Sequence, residues 1–428
     1  MIKVVLKTKY YVIMIKRSVT KSFFVYYKSL YMAVLFRFKN IINQNKKTFV
    51  FGIVGITCLT AAAVYHSRKH DFQFDHSLWN VLDYYGFNEP QQKQSLELIM
   101  KKAGIIKPNE TFMSLFPKRD NSDQLFQDVL HFVELTQKHF TIRSGAQERW
   151  EVQPTAWMID NKDEILLALE NLNITNSVTP TFLNPDLTGV LGARMTAMVS
   201  RFRYLDELCN SQLKIKFLAL VTGERKVTIG GKGIDGNEEE LAKIANKYNM
   251  TIDQLTETQL MLEAYHGSVI GSKLPKENLI VIDTPARDLP RPTTETTIQE
   301  LCNWLREHKN DVHSIIFISN QPHVKYQEAI IKEVFKQQGL STKFEVVGYK
   351  IGEKNVIKIQ ELVGALGSQI WAQTPELISQ AKIHTNNQHL KDQFMELYKK
   401  QPLIYNNIKL LLSDNNGKEH HRNIPKPS

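Results

Sequence analysis

Between residues 213 and 351 the chain switches repeatedly between two periodicities, and this alternation constrains the fold more than any other feature. Apolar, β-rich runs read as strands: LKIKFLALVT (Leu213–Thr222), ENLIVID (Glu277–Asp283), SIIFIS (Ser314–Ser319) and FEVVGYKI (Phe344–Ile351). Between them EEELAKIANKY, TIDQLTETQLMLEAYHGSV, TTIQELCNWLREH and VKYQEAIIKEVFKQQGL space their apolar residues three and four apart, as helices do. Strands separated by helices of this length cannot close as hairpins. They require right-handed crossovers and a parallel sheet. The expectation is an α/β, Rossmann-like three-layer domain with a mostly parallel sheet over residues 186–352. Ahead of the first run, GVLGARMTAMVSRFRYLDEL reads as an amphipathic helix opened by a glycine turn.

The flanks read as helical. Residues 71–175 hold four segments of helical spacing, with Asn121 and Asn161 as caps, and form a helical layer or cap on the α/β domain. Residues 353–415 read as C-terminal helices with Trp371 as a packing anchor, and 416–428 as a disordered polar tail. His131 and His139 lie eight apart on one helix, but no carboxylate or cysteine completes a metal site. The three cysteines, Cys58, Cys209 and Cys302, give neither a disulfide framework nor metal-ligand spacing, so no metal is expected.

The formal charge of +10 would suggest nucleic acid or anionic lipid, but its distribution changes that reading. Thirteen of the 54 Lys and Arg, and none of the 44 Asp and Glu, fall within residues 1–70, so the rest of the chain is slightly acidic. A nucleic-acid-binding domain carries its basic patch on the folded part, and no nucleic-acid partner is expected. Residues 1–47 are a basic leader. Thr48–Tyr65 is uncharged for eighteen positions, about 27 Å as a helix at about 1.5 Å per residue, which is just enough to span a bilayer. The larger basic cluster precedes it, favouring a cytoplasmic N-terminus and export of everything after about residue 70. A signal peptide cleaved near Ala61-Ala62-Ala63 and an organelle targeting sequence are the alternatives.

Candidate chemistry gathers at the carboxyl ends of the strands, where an α/β sheet binds its ligands. After the first run come Gly223, Glu224 and Arg225; after the second, Asp283 and then Thr293 and Glu295; after the third, Asn320, His323 and Lys325. In SNQPHVKY, Pro322 suits the first helical position and Asn320 or Gln321 can cap the free amides. Mixed acids and bases at such a crevice suit a small anionic ligand. Gly231-Lys-Gly-Ile-Asp-Gly236 formally matches GxGxxG, but it lies eight residues beyond the strand and Glu238, Glu239 and Glu240 would repel a pyrophosphate. A surface hairpin turning at Gly230-Gly231 fits better.

The order of these features resembles the YdcF-like domain family, with its SanA and ElyC relatives, over about residues 186–352. The matching positions are Arg194 opening a helix, Gly223 after a strand, Glu257 opening a helix, Asp283 ending a strand, Thr293 and Glu295 in TTET, and His323 in ISNQPHVKY. Thr296 stands where that family has Asn, and Tyr326, beside Lys325, where it has Arg. The resemblance implies a Rossmann-like domain behind one membrane anchor, placed in the bacterial inner membrane with its C-terminal part periplasmic and working in envelope homeostasis. One branch of the family binds S-adenosylmethionine; no cofactor follows for this chain.

Two functional expectations result. In the first the chain is an enzyme acting on an anionic, phosphate-bearing small molecule or lipid head group. His323 is then general acid or base, Glu257 or Glu295 orients it, and Arg194, Arg225 and Lys325 hold the negative charge. In the second the same crevice belongs to a membrane-tethered binding module without turnover.

Overall fold

The computed structural model describes residues 77–399 together with 409 and 412, apart from 120, 142–152, 230–234, 288–290, 309–311 and 352–358. The leader, the Thr48–Tyr65 segment, the Gly230-Gly231 turn and the polar tail lie outside the described residues. Among the described residues no helix is long and apolar enough to cross a membrane.

The described residues belong to one compact unit. Its helices, short turns aside, are α1 (Pro90–Lys102), α2 (Ser122–Phe140) and α3 (Lys162–Asn171) in the amino-terminal part. The sheet region comes next, with β1 (Leu187–Leu191), α4 (Met195–Asn210), β2 (Leu218–Gly223), α5 (Glu238–Lys247), α6 (Glu257–His266), β3 (Leu279–Thr284), α7 (Thr294–His308), β4 (Ser314–Asn320), α8 (Val324–Gln337) and β5 (Lys343–Tyr349). Two more helices, α9 (Ile359–Gln380) and α10 (Gln388–Tyr398), follow. The five strands make one sheet in the order β3-β2-β1-β4-β5, every pair parallel.

Buried side chains alternate between the two faces of the strands, so the sheet separates two apolar cores. Val190, Leu218, Leu220, Ile316, Ile318 and Val347 meet α4, α5 and α6 on one face. Leu191, Ala219, Val221, Ile280, Ile282, Phe317 and Val346 meet α7, α8 and α9 on the other. That second core runs without a break into the amino-terminal helices, since Phe126, Phe132 and Phe140 of α2 belong to it and α9 packs along α2. Trp371 of α9 stacks on Tyr398 of α10, 4.8 Å between ring centroids.

Three local expectations are corrected. Gly189-Val190-Leu191 are the second half of β1, and the helix after them begins only at Met195. The strand was hidden because it is short and its Gly189 weakens a β pattern. That glycine is needed there: an added Cβ would stand 2.8 Å from the ring of Phe317 on β4. TIDQLTETQLMLEAYHGSV is also two elements. Thr251 and Gln254 cap a short 3₁₀ turn, and a second reciprocal pair, Thr256 and Gln259, opens α6. Finally, Pro322 is not the first residue of α8; the Gln321–Pro322 bond is cis, His323 occupies the cap position and the helix starts at Val324. Asn320 and Gln321 do not cap it either. The Asn320 amide donates to the Gln321 carbonyl, and that of Gln321 to the carbonyls of Asn173 and Asn176.

Candidate functional site

The chain winds from β1 outward through β2 to β3, then crosses back to place β4 and β5 on the other side of β1. β1 and β4 therefore bound the topological switch point, where the connections leave in opposite directions and open a crevice beyond the carboxyl ends. Two turns line it: Gly192-Ala193-Arg194 leads into α4, and Asn320-Gln321-Pro322-His323 leads into α8. The amino ends of both helices, whose first amides have no partner inside the helix, face this region.

At its floor lies Arg201, 1% exposed. Its Nε and Nη2 donate to Asn320 Oδ1 at 2.9 and 2.6 Å, and Nη1 donates to the carbonyls of Leu191 and Gly192. One guanidinium thereby joins the end of β1 to the end of β4. All of these acceptors are neutral. Burial pulls its pKa down to about 10, opposed by Tyr349 and Glu257, so it remains a cation at neutral pH.

Beside it, on the β2 side, Arg225 anchors a second network. Its Nη1 and Nη2 form a two-pronged bond to Asp235 at 2.9 and 3.0 Å, Nε donates to Glu257 at 2.7 Å, and Nη2 also reaches the Ala193 carbonyl at 3.1 Å. Burial lowers its pKa, but the bonds to Asp235 and Glu257 outweigh this and hold it above the ordinary value. The Asp235 side chain is fully buried and also accepts from the amides of Thr228 and of Met195, the first residue of α4. Glu257, at the start of α6, accepts from Thr222 at 3.2 Å. An added Cβ on Gly192 would lie 1.9 Å from its Oε1, so only glycine lets the carboxyl settle onto β1. Burial pushes the Glu257 carboxyl up, against the opposing pull of Arg225, Thr222 and Arg201.

The other expected residues take different places. Gly223 closes β2 where its Cα hydrogens face the Thr284 carbonyl, a site with no room for a Cβ. Glu224 is exposed, and its carboxylate accepts from the Ala286 amide at 3.1 Å. Asp283 lies on β3 at the sheet's edge, two strands from the switch point, and accepts from Thr258 at 2.6 Å. Thr293 and Thr296 exchange bonds between hydroxyl and amide at the start of α7, an N-cap arrangement, with Glu295 buried in the same turn. Lys325 pairs with Glu328 at 2.7 Å, one turn along α8. Arg194 and His323 hold the cap positions of α4 and α8 at the crevice. The expected residues thus divide: Arg194, Arg225, Glu257, Asn320 and His323 surround the ends of β1, β2 and β4, while Asp283, Thr293 and Glu295 cluster around the end of β3.

Two residues central to this arrangement escape the sequence reading. Arg201 carried a signal: it shares its helical face with Met198, Phe202, Leu205 and Leu208, all buried, and an arginine on an apolar stripe must find partners inside. Asp235 carried none, because only the folded approach of its loop to α4 shows its role. Comparison with protein-family models, with curated proteins and with solved structures finds no match to the chain.

Proposed function

We propose that the chain binds a small anionic, phosphate-bearing molecule in the crevice between the ends of β1 and β4. The observation that carries the reading is Arg201, a buried cation bonded only to neutral oxygens. A buried charge without a bonded counter-charge is costly in a low-dielectric site and draws an opposite charge. Asp235 and Glu257 both pair with Arg225. Arg194 and the amino ends of α4 and α8 supply contacts for an anion. Arg225 and Lys325, expected to hold the ligand, have carboxylate partners in Asp235, Glu257 and Glu328.

The enzyme reading stays beside it on one observation: a buried carboxyl with raised pKa at a crevice suits proton transfer, with His323 on the opposite side as acid or base. The uncharged Thr48–Tyr65 stretch supports anchoring in a bacterial inner membrane, and the resemblance to the YdcF-like family supports a lipid-linked envelope precursor as the phosphate bearer.

Titration calorimetry of the full chain with inorganic phosphate, pyrophosphate and glycerol phosphate tests the proposal. At least one should bind with Kd below about 1 mM, and Arg194→Ala should weaken it at a temperature where the variant is still fully folded. Absence of binding by all three, or equal binding by Arg194→Ala, overturns it. His323→Gln separates the two readings: binding retained with full rescue of a null strain removes the enzyme.

A further inference from the structure

β3 ends the sheet, and among the described residues no strand lies beyond it. In a strand the N–H and C=O of one residue point to the same edge and those of the next residue to the other. The Thr284 carbonyl accepts from Glu224, on the β2 side. The peptide groups of Ile282 and Ile280 therefore also face β2, and those of Val281 and Asp283 face outward. Both outward residues are exposed, Val281 at 41%, although an inner position of a parallel sheet is ordinarily covered on both faces.

A groove of about 510 Å³ runs along this edge, with Val281 and Asp283 on one wall and Glu300, Trp304 and Glu307 of α7 on the other. The Trp304 ring stacks on His308, 5.2 Å between centroids, and gives the groove an apolar plate. Its charge is acidic on balance. Asp283, Glu300 and Glu307 outnumber Arg306, whose guanidinium bonds to Asn303 and Gln338, and Glu300 also pairs with Arg287 at 3.5 Å.

We propose that this edge is a docking site for an extended basic segment of another protein, which adds a sixth strand beside β3. Main-chain bonds to Val281 and Asp283 would supply register, one set of alternate side chains would meet Trp304 between Glu300 and Glu307 on α7, and basic residues of the other set would face Asp283. A second copy of the chain fits poorly, because pairing β3 with its own copy sets the same carboxylates along one seam.

The probe is a fluorescein-labelled octapeptide alternating lysine and valine, followed by anisotropy with the full chain, together with an analogue N-methylated at alternate amides. The parent peptide should bind and the N-methylated one should not. Glu307→Lys should weaken binding several-fold. Val281→Pro removes an outward N–H that the sheet does not use and should weaken binding by at least about tenfold. Should that variant melt early, the N-methylated analogue on the unaltered chain decides alone. Equal binding of both peptides reduces the effect to charge attraction and overturns the proposal, as does failure of the parent peptide to bind. A dimer in sedimentation that Val281→Pro dissolves assigns the edge to a second copy and overturns it equally.

Discussion

Arg201→Met keeps an unbranched apolar stem but leaves Asn320 Oδ1 and two strand-end carbonyls without their donor. The expected cost is about 3 kcal/mol in urea unfolding, since each buried acceptor left unpaired costs about 1–3 kcal/mol and the site can relax partly. Arg201→Lys should lose less but still measurably, because one ammonium cannot reproduce a fork that reaches three acceptors. Glu257 gives a pH signature. Its folded pKa lies above the ordinary value, so its contribution is complete below that ordinary value and is lost as pH rises through the folded one. Glu257→Gln, which cannot ionise, should therefore gain on the parent chain as pH is raised from about 4.5 toward neutrality; a gap in unfolding midpoints that stays constant or shrinks contradicts this. At this scale the sequence was half legible. Arg201 went unread although its neighbours Met198, Phe202 and Leu205 mark an apolar stripe, whereas the placement of Asp235 against Met195 depends on a contact across 40 residues.

Among the elements, the strands β2 to β5 could be read directly, because each lies within a mostly apolar, β-rich run set between helical segments. β1 could not, being five residues with a central glycine that answers to Phe317. The amino end of α7 shows the converse, chemistry expected where the fold uses capping. Thr293 was a candidate ligand, yet its hydroxyl accepts from the Thr296 amide. Thr293→Ala should destabilise the chain by about 1 kcal/mol, Thr293→Ser should restore most of it, and phosphate binding at the β1–β4 crevice should be unchanged in both. A loss of binding without loss of stability would return Thr293 to the ligand.

For the molecule as a whole, the amino-terminal helices are continuous with the core beneath the sheet. Val178 pairs with Gly348 of β5, the Gln321 amide holds the carbonyls of Asn173 and Asn176, and α2 lies along α9. A fragment of residues 186–352 should consequently show no cooperative melting by circular dichroism, while residues 75–428 should melt in one transition. The sequence separated these regions by their periodicities, and periodicity reports elements but not which of them share a core. The tie made by Arg201 between the ends of β1 and β4 also bears on how a guest would be received. Its seat is furnished in advance, so occupancy should leave the backbone still, and amide resonances should move only near residues 192–195 and 320–324.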